Sequence, residues 1–450
     1  GLGLFLAWRI LIFKSARSVT DVGSLAHLYL NEPGFMLSRL VIETIKGAFN
    51  ALVLAWGVPF YNVTSNAGYV DLAVSVFLAF LVSAAVFGFI RLTRPDPARA
   101  EAGSLGRDGW AGHAVRLGLL VMLVNLLPIV LANRDIRLTD TFDRYTLPAS
   151  MGVVMVVVGL LYALRPSLRA VLLGLALAVC VITHYQNAVY FKNFWQLQRQ
   201  LWWQLSWRAP GLEKNTVLIP VLPDNYLLAE SYEAWGPANI IYGSRTDPQR
   251  VAGEALNDQT LLSVQTRQNF VRTVRRVEVP LDFKNSLVVS LAAPGSCVKA
   301  IDSEWIELGD TEDPRVRLAA PYSQVGLIDT QAEPHTPPEV IFGPEPEHGW
   351  CYYYQKASLA RQEQDWQEIV RLGEEVLSKG LAPQNSLEWM PFYQGYAYAS
   401  VLDRANQIAG YIRTDRTSLQ VFCSQFTPQE IAELRPGSLD EFIIINLCPQ

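Results

Sequence analysis

The residues whose types suggest chemistry lie together in one short segment, 134–148, between two apolar stretches. Two of its arginines, Arg137 and Arg144, can each bind a phosphate through two hydrogen bonds. Two of its carboxylates, Asp140 and Asp143, can act as a base or hold a divalent metal. Charges this close to an apolar stretch are costly unless they are paired, solvated or used. The segment therefore indicates a phosphate-binding or acid–base site. The alternative is an exposed loop whose charges pair with one another.

Other motifs of known chemistry are missing from the sequence. There is no Walker A loop, no GxGxxG after a strand and no GxSxG elbow. The basic residues form no patch, which argues against nucleic-acid binding. His184, His335 and His348 have no cysteine or carboxylate pattern around them, so we expect solvated or interfacial histidines. No cofactor is expected, apart from a divalent metal that Asp140 or Asp143 can hold.

The cysteines divide into one in an apolar stretch and four elsewhere. Cys180 lies in the sixth apolar stretch, while Cys297, Cys351, Cys423 and Cys448 lie in the later, more polar part of the chain. Their spacings contain no CxxC, which argues against a zinc site. An even number in an oxidising compartment permits two disulfides with three pairings. Four buried thiols are the alternative.

The chain that positions these side chains has two parts that differ in composition. Six apolar stretches occupy residues 1–186, and a stretch of ~17–25 mostly apolar residues spans a bilayer. The first is too short, and it begins at Gly1 without a methionine, so we expect a longer protein upstream. Residues 1–186 are therefore predicted to form an all-α membrane bundle of about six transmembrane helices. The stretches are 1–13, 42–58, 70–91, 114–133, 147–163 and 168–186.

The basic residues between these stretches predict an orientation. Cytoplasmic loops are enriched in Lys and Arg. The loop 91–116 contains five arginines, whereas the loop 58–69 contains no Lys or Arg. The first loop is therefore predicted to be cytoplasmic and the second outside. This alternation predicts a multi-pass protein of the cell membrane whose residues 187–450 lie outside the cytoplasm.

Residues 187–207 are rich in aromatic side chains at helical spacing. Phe191, Trp195 and Trp202 belong to this pattern. Trp and Tyr prefer the headgroup level of a bilayer. We therefore expect an interfacial helix that continues the last membrane helix outward or lies on the membrane surface. It would be a platform for a lipid-linked substrate, or only an anchor and linker.

The next region, 208–330, is predicted to be a small α/β or α+β domain. Its apolar runs are typical of strands, and a longer segment between them looks helical. A proline-rich linker is predicted at 331–349. The expected elements are strands at 217–222, 274–279 and 286–291 and a helix over 249–273.

Residues 350–450 show the pattern of paired helices. Small residues, Ala357 and Ala360, fall where two helices would cross, and Gly380 and Pro383 end the second helix. This pattern resembles about one and a half tetratricopeptide repeats over 350–410. We expect a tetratricopeptide-like helical module with a C-terminal tail. Its further predicted elements are a helix at 387–402, another starting at 427–430 and a closing strand at 442–445.

The segment Arg144-Tyr145-Thr146-Leu147-Pro148 leads into an apolar stretch. It resembles the Arg-Tyr-x-Leu-Pro element of GT-C glycosyltransferases, polytopic enzymes that use polyprenyl-phosphate-linked sugars. The resemblance implies an outward-facing site in which Arg144 contacts the phosphate of the donor, with Tyr145 and Arg137 as further substrate-binding residues. Asp140 and Asp143 would be the catalytic candidates. The principal acidic residue of that family usually lies in a first outer loop, which we expect upstream of Gly1.

Two functions follow as hypotheses. The first is a bacterial cell-envelope glycosyltransferase that moves a sugar from a lipid-phosphate donor on the outer face of the membrane. The second is a non-catalytic, membrane-anchored scaffold that binds a protein partner through the helical module at 350–410. Both include the lipid bilayer as a partner.

Overall fold

The chain divides into two compact units, Gly1–Asn193 and Phe194–Gln450. The computed structural model describes most of both units. The described residues are 22–57, 68–93, 107–134, 140–223, 230–244, 250–274, 277–424 and 438–448, with Trp8, Ile12, Ile136, Tyr226, Leu228, Thr246, Asp247 and Phe426.

The described part of the first unit is helical. The chain is mostly apolar here, and each helix satisfies its backbone hydrogen bonds internally, as a bilayer requires. The helices are α1 (Val22–Asn31), α2 (Pro33–Leu52), α3 (Tyr69–Leu92), α4 (Arg107–Leu131), α5 (Ser150–Ala163) and α6 (Pro166–Arg208), with 3₁₀ segments at Leu54–Trp56 and Asp140–Ala149.

Among the described residues, four helices are long and apolar enough to cross a membrane. They contain the predicted stretches 70–91, 114–133, 147–163 and 168–186, apart from the last residues of the second. The stretch 42–58 is divided between α2 and a 3₁₀ segment because the α-helix ends at Leu52. The stretch 1–13 lies almost wholly outside the described residues. A helical chain with four apolar helices and a small sheet-containing region is thus confirmed, and the count of six spans stays a prediction. The four are Tyr69–Leu92, Gly109–Leu131, Arg144–Ala163 and Pro166–Arg208.

Helix α6 is continuous over 43 residues, and its residues from Phe194 onward belong to the second unit. Leu201, Trp202 and Leu205 are fully buried in the core of that unit. The helix thus continues past residue 186, which is one of the two arrangements expected for 187–207, and these three side chains contact a protein core. An apolar stripe at helical spacing suits a protein core as well as a bilayer surface. Phe191 and Trp195 remain exposed.

The second unit is built around a four-stranded sheet whose strands stand in the order β3 (Ala252–Gly253), β2 (Val217–Val221), β6 (Ser286–Ser290) and β7 (Lys299–Ala300). Strand β2 lies between β3 and β6 and pairs parallel with both, and β7 pairs antiparallel with β6. All residues of β2 and β6 are buried, as expected of central strands covered on both faces. Outside this sheet, β1 (Gly211–Leu212) pairs with β8 (Ile328–Asp329), and β4 (Asn269–Val274) pairs with β5 (Val277–Asp282).

Alternate residues of the central strands face opposite layers. Leu218 and Leu287 pack with the end of α6, while Ile219 and Val288 pack into a second cluster on the other face. Short helices complete both layers. These are α7 (Tyr232–Tyr242), α8 (Asp258–Gln265), α9 (Pro314–Ala319) and α10 (Glu339–Phe342).

The strands predicted near 217–222 and 286–291 are confirmed. The predicted helix over 249–273 is wrong at both ends, because only Asp258–Gln265 is helical and strands flank it. Asn257 caps this helix by accepting a hydrogen bond from the backbone N–H of Thr260, which fixes its start. Of the predicted strand at 274–279, Val274 ends β4 and residues 277–279 belong to β5, which pairs antiparallel with β4. Residues 275 and 276 lie outside the described residues.

From Trp350 onward the described chain is an array of short helices. They form consecutive helix–turn–helix pairs around one apolar core. The strand predicted at 442–445 is wrong: this segment lies in a helix that Ser438 caps by accepting from the backbone N–H of Glu441. The helix predicted to start at 427–430 lies outside the described residues. The helices are α11 (Trp350–Gln362), α12 (Trp366–Ser378), α13 (Met390–Tyr398), α14 (Leu402–Ile412), α15 (Arg416–Cys423) and α16 (Leu439–Leu447).

The proline-rich segment 331–349 packs on the fold and is not a free linker. Phe342 is buried, and its carbonyl accepts a hydrogen bond from Arg199 Nε at 2.6 Å. The ring of His335 hydrogen-bonds to the carbonyl of Pro210 at 2.9 Å. Prolines restrict the chain but do not prevent side chains and carbonyls from joining a core.

Two disulfides join the four later cysteines. Cys297 pairs with Cys351, and Cys423 pairs with Cys448. The first links the segment before β7 to helix α11, and the second links α15 to the residue after α16. Of the three pairings that the sequence permits, the structure has the one between neighbours in the chain. Four buried thiols are thereby excluded.

Candidate functional site

The second part of the segment predicted to carry chemistry, 140–148, lies in the 3₁₀ segment Asp140–Ala149. Arg144 is exposed, and its guanidinium carbon lies 5.5 Å from the centre of the Tyr145 ring. Tyr145 in turn packs against the small apolar cluster around Met122. Arg137 and the side chains of Asp140 and Asp143 lie outside what the structure describes. The roles of these residues in substrate binding or catalysis stay predictions.

A different feature is the most developed site in the described part of the second unit. It is a cavity of about 690 Å³, which lies within the range of roughly 300–1,000 Å³ typical of small-molecule sites. We call it the polar cavity. Its walls come from the end of α6, from residues 299–307, from 324–326 and from helices α11, α12 and α13. The sheet and the helical array therefore both contribute to it.

Arg208 is the last residue of α6 and lines the polar cavity. Its side chain is only 4% exposed. Its Nη2 donates to Gln362 Oε1 at 2.7 Å. A cation at the end of a helix is favoured by the partial negative charge of the helix C-terminus. The helix thus positions one buried positive charge at the wall of the cavity.

Arg361, on α11, forms the second cationic part of the wall. Its Nη1 pairs with the carboxylate of Glu307 and donates to Gln394 Oε1 at 2.9 Å. Burial raises the pKa of the Glu307 carboxyl, and the neighbouring Arg361 opposes this rise. Tyr354, two turns earlier on α11, is buried too, and burial raises the pKa of its hydroxyl. This part of the wall is electrically balanced and rich in hydrogen-bonding groups.

Uncharged amides complete the interior of the wall. Gln355 is fully buried, and its Nε2 donates to the carbonyl of Val298 at 2.6 Å and to Gln204 Oε1 at 3.2 Å. Its Oε1 is buried without a hydrogen-bond partner among the described residues. Buried polar atoms are nearly always paired, so such an atom at a cavity wall indicates a place for water or a ligand.

Aromatic rings contribute the apolar part of the cavity. Trp366 and Tyr398 stack with ring centres 4.4 Å apart, and both line the cavity together with Trp305. The hydroxyl of Tyr398 donates to the carboxylate of Asp440, which fixes the ring. Rings held in this way offer flat apolar faces beside hydrogen-bonding groups.

A group of Cys297, Cys351 and Glu388 is close enough to be considered as a metal site. Both sulfurs belong to the disulfide, so neither can be a thiolate ligand. Glu388 Oε1 accepts from the backbone N–H of Cys297 at 2.8 Å, and Oε2 accepts from Trp350 Nε1 at 2.8 Å. The residues do not fit a metal; they form a buried structural network.

The polar cavity was not predicted by the sequence. Arg208 follows Trp207 at the end of an aromatic helix, and the arginine is there easily explained as a helix-terminal cation. Arg361 lies among other charges of a surface-like helix. The sequence feature that could have indicated the cavity is Arg208, an arginine placed directly after an apolar helical stripe.

Compared with known protein families, curated proteins and solved structures, the chain matches none of them. A function must therefore follow from the residues of the chain itself.

Proposed function

We propose that this chain is a membrane-anchored binding protein. Its apolar helices would hold it in a lipid bilayer, and residues 194–450 would bind a small polar ligand in the polar cavity. The observation that carries the proposal is the cavity of about 690 Å³ whose wall contains the buried side chains of Arg208 and Gln355. Buried polar groups without full hydrogen bonding reduce stability, so their presence at a cavity is explained by a ligand that they bind.

The described wall favours binding over catalysis. The carboxylate of Glu307 is committed to Arg361, and the raised pKa of the Tyr354 hydroxyl makes it a weaker acid that stays protonated at neutral pH. Neither group is activated as a nucleophile or as a general base. The cavity is thus suited to recognise a molecule and hold it.

The proposal is tested on the full chain in detergent micelles. Thermal unfolding is measured with a panel of neutral sugars, sugar acids, sugar phosphates, amino acids and nucleotides. A ligand that binds only the folded state raises the Tm in proportion to its concentration. We expect one class to raise the Tm saturably, and a panel in which no class does so contradicts the proposal.

A matched pair of glycine variants locates the binding. Gly326 lines the cavity, and a Cβ atom there would meet no other atom within 4 Å. Gly326→Trp should therefore fold normally and obstruct the cavity. Gly410 also has open space at its Cβ position but is not a cavity residue. The Tm shift caused by the ligand should be lost in Gly326→Trp and retained in Gly410→Trp.

The glycosyltransferase hypothesis is a second candidate, supported by the exposed guanidinium of Arg144 at the start of the apolar helix Arg144–Ala163. An exposed arginine at such a position can contact the phosphate of a lipid-linked donor. In the full-length protein, Arg144→Ala should abolish sugar transfer from a polyprenyl-phosphate donor while membrane insertion is unchanged. Arg91→Ala, at the end of α3, is the matched control and should keep full activity. Unchanged turnover in Arg144→Ala would rule this candidate out.

A further inference from the structure

Arg208 differs from the other buried cations of the second unit. Lys299 lies 3.1 Å from the carboxylate of Glu312, and Arg361 pairs with Glu307. No carboxylate of the described residues forms an ion pair with Arg208. Its Nη1 is buried and has no hydrogen-bond partner within the part of the chain that the structure describes. Asp302 and Glu307 are close enough to interact electrostatically with Arg208, but no described carboxylate accepts a hydrogen bond from it. Buried charges in proteins are normally paired directly or used, so Arg208 lacks a hydrogen-bonded anion among the described residues.

The other groups that line the cavity indicate which chemical groups a ligand of Arg208 would carry. Five glutamine side chains line the cavity. Several of their amide groups already bond within the protein, but each amide oxygen can accept two hydrogen bonds and each amide nitrogen can donate two, so capacity for a ligand remains. Gln355 Oε1 is a buried acceptor without a donor among the described residues. The rings of Trp305 and Trp366 provide apolar faces. A ring that carries hydroxyl groups at its edge and C–H groups on its face would satisfy both kinds of surface. The glutamines are Gln324, Gln355, Gln362, Gln364 and Gln394.

The charge of the cavity limits the charge of the ligand. Carboxylates at Asp302, Glu304, Glu307 and Asp440 also line it. A ligand with one negative charge can pair with Arg208 without strong repulsion from these groups. A phosphate monoester, with a charge of about −1.5 to −2, would meet more repulsion. A single carboxylate also matches the planar fork of a guanidinium.

We propose that the ligand of the polar cavity is a sugar acid, whose carboxylate pairs with Arg208 and whose hydroxyl groups bind the glutamine amides. This inference rests on the proposed binding function and specifies the class of ligand. Arg208 is then a binding residue whose charge is costly in the empty protein and compensated in the complex.

The first test compares matched ligands on the full chain in detergent. The pairs are D-glucuronate with D-glucose, D-galacturonate with D-galactose, and N-acetylmuramate with N-acetylglucosamine, and glucose 6-phosphate is added as the phosphate arm. At least one acid should raise the Tm, and its neutral counterpart should bind at least about 10-fold more weakly, because a hydrogen-bonded charge is lost. Tighter binding of a neutral sugar or of the phosphate overturns the assignment of a sugar acid but leaves the proposed binding function intact. If no compound of any class binds, both proposals fail.

The second test uses Arg208→Met with Arg371→Met as the control. Arg371 is exposed, pairs with Glu368 and Glu375 on its own helix and does not line the polar cavity. Arg208→Met should weaken binding of the acid by about 10- to 100-fold, and the control should not change it. The Tm of the empty protein should stay the same or rise in Arg208→Met, because removal of an unpaired buried charge removes its desolvation cost.

This combination separates a binding residue from a structural one. If Arg208 were only structural, Arg208→Met would lower the Tm of the empty protein and affect acidic and neutral ligands equally. Arg208→Lys provides an intermediate case, since it keeps the charge and loses the planar fork, so we expect a smaller loss of affinity than in Arg208→Met. Binding of the acid that is unaffected by both variants overturns the assignment.

Discussion

At the scale of single residues, the second unit depends on polar side chains that are buried and bonded. Glu388 is the clearest case: it is 1% exposed and accepts hydrogen bonds from the backbone N–H of Cys297 and from Trp350 Nε1. Its carboxylate thereby joins the strand region to the first helix of the array. Burial raises the pKa of Glu388, and the hydrogen bond from Cys297 opposes that rise.

Glu388→Ala should destabilise the protein by about 2–5 kcal/mol, because two buried donors lose their acceptor. The measurement is thermal unfolding followed by tryptophan fluorescence in detergent. Glu347→Ala, at an exposed carboxylate, is the control and should change the Tm little. Equal Tm values for the two variants would contradict the structural role of Glu388.

The same carboxyl predicts a pH dependence with a definite sign. Its pKa in the folded protein lies above the ordinary value of 4.5, so the folded state binds its proton more tightly than the unfolded state does. The stabilising contribution is therefore fully present below about pH 4.5 and is lost as the pH rises through the folded pKa. The Tm difference between the wild type and Glu388→Ala should widen as the pH is lowered from 7.5 towards 5. A difference that narrows over this range would contradict the assignment.

At the scale of elements, close helix contacts depend on small residues. In the first unit, a Cβ atom at Gly152 on α5 would lie 2.6 Å from the carbonyl oxygen of Gly118 on α4. The two backbones can approach this closely only because both positions lack side chains. In the second unit, a Cβ atom at Gly395 on α13 would collide with Ile369 on α12. The small residues Ala357 and Ala360 on α11 are buried as well. The likeness of these helix pairs to tetratricopeptide repeats, and a protein partner at 350–410, remain predictions.

Gly152→Val should separate α4 from α5 and lower the Tm of the protein in detergent by several degrees. Gly88→Val is a matched control, since it also adds a side chain to an apolar helix, α3, but a Cβ atom there meets no other atom within 4 Å. The control should have a Tm close to that of the wild type. If both variants unfold at the same temperature, the close packing of α4 on α5 is wrong.

At the scale of the whole molecule, the apolar helices and the disulfides are concentrated in different units. The four apolar helices lie in or begin in the first unit, and both disulfides lie in the second. Disulfides persist in oxidising compartments, which supports the prediction that residues 187–450 lie outside the cytoplasm. The arginine-rich loop 91–116 supports the same orientation.

This orientation is tested with single cysteines in a Cys180→Ala background and a thiol reagent that does not cross membranes. Ser378→Cys, at the exposed last residue of α12, should be labelled in intact cells. Ser104→Cys, in the arginine-rich loop, should be labelled only after permeabilisation. The opposite labelling pattern would contradict the predicted orientation.

Local patterns were sufficient for some features and ambiguous for others. Long apolar stretches predict membrane-type helices because few other structures accommodate them, and the run Val217–Val221 predicts a buried strand because it is short and bounded by turn residues. The isoleucine run at 443–445 has the same composition in a helix, since a short apolar run does not distinguish the two. The side chain of Ser438, bonded to the backbone N–H of Glu441, favours the helix.

Contacts between side chains from distant parts of the chain could not be predicted from local patterns. Trp202 has the same sequence pattern whether its helix faces lipid or protein, and only the packing of the sheet against α6 places it in a core. Arg208, Glu307, Gln355 and Gln394 come from separate elements, and no spacing rule connects them. The chain alone specifies which segments are helical, apolar or cross-linkable because those properties depend on neighbours in sequence. The polar cavity depends on how the sheet and the helical array pack together, and that packing brings the buried guanidinium of Arg208 to its wall.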